Sequence, residues 1–358
     1  MLYLEKTESG VLTMVNVTLG RTGITVQKNG FGALPIQRIS RNEAAYLLQK
    51  ALDGGFTFFD TARAYTDSEE KIGFALSSRR DRFFLATKTA AQTAEDFWND
   101  LHTSLKNLNT SYVDILQLHN PAFCPKPGDG SGLYEAMCQA REEGKIRFLG
   151  ITNHRLAVAR EAVASGLYDT LQFPFSYLAA PEEIQLVEEC GKQDIGFISM
   201  KALSGGLITS SAAAYAFQAL YKNALPIWGI QREQELDEFL SYIEAPPALT
   251  PQLQQLIDRD RAELSGEFCR GCGYCLPCPA QIDIPNCARM SLLLRRSPAQ
   301  GHLTPEGQAK MARIDQCIHC NHCKDHCPYG LNTPDLLRRN YEDYQTFLEI
   351  PPENQIRP

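Results

Sequence analysis

No stretch of this chain stays apolar for the ~18 residues a membrane span requires, and its N-terminus shows no signal-peptide pattern. Basic charge is in short supply. The 35 Lys and Arg stand against 42 Asp and Glu, a net charge of −7, whereas a nucleic-acid partner normally meets a basic face. Low-complexity tracts are absent, and so is a Rossmann fingerprint. Gly30-Phe31-Gly32-Ala33-Leu34-Pro35 lacks the third glycine and carries a proline that breaks helices. A cytoplasmic globular protein is the expectation, and 358 residues suffice for a large core in one or two domains.

Cysteine is abundant, and its distribution is uneven. Of twelve cysteines, nine stand at or beyond Cys269, and eight of those fall in tight C-x-x-C clusters. In a large chain from a reducing compartment this spacing reads as metal binding rather than disulfides. Cys317, Cys320, Cys323 and Cys327, the last followed by Pro328, match the bacterial ferredoxin run residue for residue. The first cassette, Cys269, Cys272, Cys275 and Cys278 followed by Pro279, is one residue shorter before its last cysteine.

Three thiolates at this spacing wrap one cluster and the fourth reaches to a second. Two 4Fe–4S clusters are therefore expected: one on Cys269, Cys272, Cys275 and Cys327, the other on Cys317, Cys320, Cys323 and Cys278. Cys287 is an alternative to Cys278. Zinc sites favour paired C-x-x-C knuckles over triplets, which sets zinc second. His319, His322 and His326 are expected to shield a cluster or to sit in solvent. Cys124, Cys138 and Cys190 are isolated and read as inert thiols.

The preceding two-thirds alternates strand and helix patterns. Strands are expected near Asn29–Ala33, Thr57–Asp60, Arg82–Lys88, Val113–His119, Ile146–Thr152, Thr170–Phe175, Gly196–Met200 and Pro226–Ile230. Amphipathic runs such as Arg41–Leu52 and Ala94–Leu105 lie between them. Eight such units with short loops imply an α/β fold, a closed (β/α)8 TIM barrel. Ahead of it, residues 11–27 with the Gly20-Arg21-Thr22-Gly23 turn read as a β-hairpin. The proline-rich segment from Glu244 to Pro251 marks the boundary. The domain plan is a barrel over 1–247, a linker helix over 248–265, a small α-helical ferredoxin-like iron–sulfur domain over 266–345, and a tail over 346–358.

Three successive strands end in chemistry. Phe56-Thr57-Phe58-Phe59 stops at Asp60, and a short loop then delivers Tyr65; the next strand ends at Lys88 and the one after at His119. Barrels of this kind keep their chemistry at the C-terminal ends of the strands. A tyrosine is a weak acid at neutral pH unless a nearby cation stabilises its phenolate, and Lys88 supplies that cation. Asp60 would hold Lys88, and His119 would orient a carbonyl by hydrogen bonding.

These residues, in the contexts DTARAY, LATK and DILQLHN, resemble the catalytic tetrad of the aldo-keto reductases, and the last third resembles the iron–sulfur extension of a subgroup of that family. The resemblance implies reduction of an aldehyde or ketone by a nicotinamide nucleotide, with Tyr65 as the proton donor. It implies that the hairpin plugs the barrel floor and that Thr152, Asn153 and Gln172 meet the nicotinamide carboxamide. Met200 stands where the family usually has a stacking aromatic residue. The following Leu203-Ser204-Gly205-Gly206 is small enough to let backbone N–H groups approach a pyrophosphate. Arg232 is the basic residue nearest the expected adenosine-phosphate position. Glu233 and Glu235 beside it would repel a 2′-phosphate, which favours NADH over NADPH.

Nicotinamide moves two electrons as hydride, whereas an iron–sulfur cluster passes one at a time. A flavin or a ferredoxin-type redox partner is one way to join the two halves; a structural role for the clusters is the other. Two further functions stay open: a redox relay between a barrel-bound nucleotide and such a partner, and a non-enzymatic nucleotide-sensing module.

Overall fold

The computed structural model describes residues 16–264, 268–296 and 299–350. The chain divides into two compact units. One comprises Met1–Ala202 with Ala212–Leu253, the other Leu203–Ser211 with Gln254–Pro358. Residues 11–15 of the expected hairpin and 351–358 of the expected tail lie outside the described residues.

In the first unit, strands β1 (Asn16–Thr18) and β2 (Thr25–Gln27) pair antiparallel. Their turn is built on Gly20 and Gly23, both at positive φ. Eight further strands form a closed parallel barrel: β3 (Gly30–Gly32), β4 (Phe58–Asp60), β5 (Phe84–Thr89), β6 (Val113–His119), β7 (Ile146–Thr152), β8 (Thr170–Pro174), β9 (Gly196–Met200) and β10 (Ala224–Gly229). Helices separate and follow them: α1 (Arg41–Asp53), α2 (Ser68–Leu76), α3 (Ala94–Asn107), α4 (Leu133–Glu142), α5 (Leu156–Ser165), α6 (Pro181–Lys192), α7 (Ser211–Ala219) and α8 (Glu233–Glu244). The sequence pattern places α1 to within a residue because Ser40 and Glu43 form a reciprocal capping box.

Parallel pairing aligns inward-facing residues in layers. Phe58 pairs with Phe84, and Ala86 with Ile115. With Ile198, Leu225 and Ile227 these form the apolar core of the barrel, into which Val17, Leu19, Ile24 and Val26 of the hairpin pack. The hairpin therefore closes the N-terminal end, as expected. Two residues further along, the same inward faces turn polar: Asp60 follows Phe58, Lys88 follows Ala86, and Gln117 and His119 follow Ile115. An apolar floor beneath a polar roof puts the unusual side chains at the C-terminal ends of the strands.

Among its described residues the second unit is helical, with α9 (Pro251–Glu263), α10 (Ile284–Cys287), α11 (Met290–Arg296), α12 (Pro305–Ala312), α13 (His322–Asp325) and α14 (Thr333–Leu348). Helix α9 straddles the division, whose boundary falls at Leu253. Helix α14 buries Leu336, Leu337, Asn340, Tyr341, Tyr344 and Phe347, the stripe an amphipathic helix presents to a core. Asn340 makes that stripe specific by accepting from the Ser291 N–H at 2.9 Å and donating to the Leu336 carbonyl at 2.8 Å. No helix among the described residues is long and apolar enough to cross a membrane.

Candidate active site and cysteine centre

Lys88 is 1% exposed and Asp60 2%. The Lys88 ammonium donates to Asp60 Oδ2 at 2.6 Å and to the Thr61 carbonyl at 2.6 Å. Gln117 donates to Asp60 Oδ1 at 3.2 Å, so both carboxylate oxygens are engaged. Burial pushes Asp60 up and Lys88 down, and each is the main compensation for the other.

Tyr65 comes from the loop after β4. That loop is held by Thr61 N–H to the Ala86 carbonyl at 2.9 Å, Arg63 N–H to the Lys88 carbonyl at 3.0 Å, and Tyr65 N–H to the Ala62 carbonyl at 3.0 Å. The Thr61 and Ser68 hydroxyls, 2.9 Å apart, tie it to the start of α2. The half-buried Tyr65 ring lies edge-on to the His119 ring, 5.9 Å between centroids, and the Lys88 ammonium is 5.1 Å from its centre. The four residues thus share one site.

Burial pushes the Tyr65 phenol up from its usual value and the Asp60 carboxylate pushes it further, while the Lys88 ammonium, held by Asp60 and the Thr61 carbonyl, stands beside the ring. Burial also holds His119 down to about 3, with Lys88 contributing, so the imidazole stays neutral at physiological pH.

Thr152, Asn153 and Gln172 are almost fully buried beside this site on β7 and β8. Asn153 is committed internally, donating to the Pro121 carbonyl and accepting from the Arg155 N–H, both at 2.8 Å. Thr152 Oγ1 and Gln172 Oε1 are buried without a hydrogen-bond partner. Unpaired buried polar atoms are costly, and an amide-bearing ligand would satisfy them. The nicotinamide carboxamide, with one acceptor and two donors, fits that demand. Met200 is half-buried and faces inward with Ile198.

After β9 the loop bearing Leu203, Ser204, Gly205 and Gly206 belongs to the second unit. Ser204, Gly205 and Gly206 take successive positive φ values of 48°, 67° and 94°. Arg232 is tied to Glu235 at 2.6 Å on the surface, and Glu233 pairs with Lys50 at 2.6 Å.

The two cysteine cassettes share a pair of left-handed positions around their second cysteine. In the first, Gly271 and Gly273 flank Cys272 at positive φ; in the second, His319 and Asn321 flank Cys320 at positive φ. Such alternation turns successive N–H groups inward, and the Gly271 N–H donates to Cys269 Sγ at 3.4 Å. Burial raises the Cys269 thiol, and its neighbours Cys272 and Cys327 act in the same direction. Burial likewise raises Cys323, whose neighbours are Cys317 and Cys278. A small hollow is lined by Cys275, Cys278, Cys317, Cys320 and Cys323.

Cys287 lies apart, buried, with its sulfur against the Lys310 carbonyl at 3.8 Å. His322 and His326 stack on each other, 4.0 Å between centroids. Among the described residues no three His, Cys, Asp or Glu side chains converge on a point as a single ion demands. A cluster carries its thiolates on the corners of a cube and needs them farther apart, around a hollow. Cys124 and Cys190 are buried free thiols, and Cys138 is half-buried.

The aldo/keto reductase family model matches residues 28–213, more than half of the chain. The chain belongs to the aldo/keto reductase family. A 4Fe-4S dicluster domain model matches residues 268–332 of this reductase. Its curated relatives include an uncharacterised oxidoreductase of Bacillus subtilis, 27% identical over 57% of this chain and 70% of the relative. L-galactose dehydrogenase of Arabidopsis thaliana is 30% identical over 53% of this chain and 66% of its own length. Among solved structures, the holo form of an aldo-keto reductase from Bacillus halodurans superposes with a TM-score of 0.61 at 20% identity, covering 69% of this chain and 96% of that one. An aldo-keto reductase from Klebsiella pneumoniae in complex with NADPH gives 0.60 at 21% identity, covering 69% and 95%. At such identities the structural likeness speaks to the fold.

Sequence reasoning passed over Gln117 of this reductase. The signal was present: His119 faces inward, so the residue two before it must as well. It also passed over Glu69, buried on α2, which accepts from Thr87 at 2.7 Å on the outer side of β5. No local sequence signal marks that contact.

Proposed function

We propose that this aldo/keto reductase reduces a small aldehyde or ketone at the expense of a nicotinamide nucleotide. The observation that carries the reading is the buried Lys88–Asp60 pair, 2.6 Å apart, beside Tyr65 and His119 at three consecutive strand ends. The nucleotide supplies the hydride when bound. Tyr65 is the proton donor. With its phenol pushed up it stays loaded through neutral pH, and it releases its proton when negative charge grows on the carbonyl oxygen, because an alkoxide is a stronger base than a phenolate. Neutral His119 donates a hydrogen bond that orients that oxygen. Lys88 and Asp60 hold the site rigid, and Gln117 donates to the other carboxylate oxygen.

Thr152 and Gln172 would receive the carboxamide, and the Leu203–Gly206 loop the pyrophosphate. Arg232, committed to Glu235, is poorly placed to take a 2′-phosphate, which supports NADH. In the second unit the spacing of the cysteines, their two neighbour groups and the hollow between them suit two 4Fe–4S clusters in a ferredoxin-like arrangement. Cys278 rather than Cys287 completes the second. Such clusters pass single electrons.

Exposure favours a second reading, a relay to a ferredoxin- or flavin-bearing partner: Cys320 is exposed and Ile318 beside it is 65% exposed.

Replacing Tyr65 with Phe tests the first reading on a panel of carbonyls. The expected result is a kcat lower by about 10²–10⁴-fold with the dinucleotide Kd unchanged. Full turnover by Y65F would overturn the proton donor. Turnover that instead requires a low-potential one-electron donor would favour the relay.

A further inference from the structure

The glycine loop after β9 and the first cysteine cassette are far apart in sequence yet belong to one unit. One side chain that joins them is Arg289. Lying between α10 and α11, it donates from Nη1 to the Gly205 carbonyl at 2.8 Å, and its Nε donates to the Pro285 carbonyl at 2.8 Å. It also lies against the turn between Cys269 and Cys272. A methyl group placed on Gly271 would lie 3.0 Å from Arg289 Cζ and 3.1 Å from Nη1, so the guanidinium lies directly against that backbone. A methyl on Gly205 would meet Nη1 at 2.5 Å and the Arg270 carbonyl at 3.8 Å. Gly205, the guanidinium and the Arg270–Gly271 turn are therefore stacked with no room for a side chain between them.

Only a planar fork on a long stem makes this arrangement, since a lysine ammonium offers no flat face to lie on a peptide. A second arginine holds the same loop without touching the cysteine turn in any contact described: Arg296 donates to the Leu207 carbonyl at 2.8 Å while pairing with Asp260 at 2.5 Å and Glu263 at 2.6 Å.

We propose that Arg289 is a positioning residue that couples cluster assembly on Cys269, Cys272 and Cys275 to dinucleotide affinity, by fixing the glycine loop against the turn that wraps the cluster. The proposal rests on the functional reading above, in which that loop receives the pyrophosphate. Without iron to draw the three thiolates together, the Arg270–Gly271 turn loses its shape, Arg289 loses its support on that side, and the carbonyl of Gly205 is held less firmly. By linkage the effect is mutual: bound dinucleotide must slow cluster loss.

The test uses the full chain, prepared anaerobically with its iron and sulfide content measured, and then stripped by oxidation and chelation. NADH affinity is read by fluorescence titration, and cluster loss to chelator is followed by absorbance with and without NADH. In the wild type, stripping is expected to weaken NADH binding at least tenfold, and NADH is expected to slow cluster loss several-fold. R289Q with its clusters retained should bind NADH as weakly as the stripped wild type, and NADH should no longer protect its clusters. R296Q should weaken binding but keep the protection.

Equal NADH affinity of loaded and stripped wild type overturns the proposal, whatever the variants do. So does an R289Q protein that keeps both its affinity and its protection. A loaded wild type that binds neither NADH nor NADPH overturns the dinucleotide reading itself, an outcome distinct from binding that is indifferent to the clusters.

Discussion

At Lys28 the barrel buries an amine, 1% exposed, whose ammonium meets the Tyr221 carbonyl and, among the described residues, no carboxylate. Burial holds it down to about 7 from 10.5. The sign of the consequence follows from proton counts. Between pH 7 and 10.5 the unfolded chain binds a proton that the folded chain does not, so stability rises with pH across that window and the full penalty stands below it. Lys28→Met should therefore be more stable than the wild type at pH 7, by up to about 4 kcal/mol, with the gap closing towards pH 10.5. Urea unfolding at several pH values checks this; a gap independent of pH would contradict it. Asp60 poses the opposite case. Removing it strands the Lys88 ammonium in a dry site, and Asp60→Ala should cost about 3–5 kcal/mol. The same unfolding experiment at neutral pH measures the loss.

Among the elements, the two cassettes divide their labour by backbone shape. The first reaches the required left-handed positions with Gly271 and Gly273, while the second uses His319 and Asn321, residue types that tolerate that region better than most. The short spacing before Cys278 left its role open in the sequence, with Cys287 as the rival. The structure separates them, because Cys278 lines the hollow with Cys317, Cys320 and Cys323 whereas Cys287 points at the Lys310 carbonyl. Cys278→Ser should therefore lose about half of the bound iron and Cys287→Ser none, read by iron analysis of anaerobic preparations. Strand ends were legible for a related reason. An apolar run that stops at Asp60, Lys88 or His119 announces both where the strand leaves the core and which residue caps it. The last strand was read two residues late, because Pro226 looks like a strand's first residue, whereas β10 already pairs from Ala224.

For the molecule as a whole, contacts that join distant parts of the chain were the illegible ones. Gln117 reaches Asp60 across 57 positions and Arg289 reaches Gly205 across 84; neither spacing leaves a periodic trace. Strand order, by contrast, follows from eight alternating units alone, and the family tetrad from three short contexts. The neighbourhood of Tyr65 belongs with the legible part, for a lysine one strand away does stand beside the ring, but its hold on Asp60 and the Thr61 carbonyl had no sequence trace.

The hairpin packed into the floor carries a consequence for traffic. With Val17, Leu19, Ile24 and Val26 packed on its apolar core, the cylinder is filled from that end, and reactants reach Asp60, Lys88 and His119 from the C-terminal ends of the strands alone. Whatever sits deepest must enter first and depart last. An electron carrier lodged there would stay in place while the smaller reactant comes and goes above it, so the sequence of arrivals is imposed by the packed hairpin rather than by relative affinity.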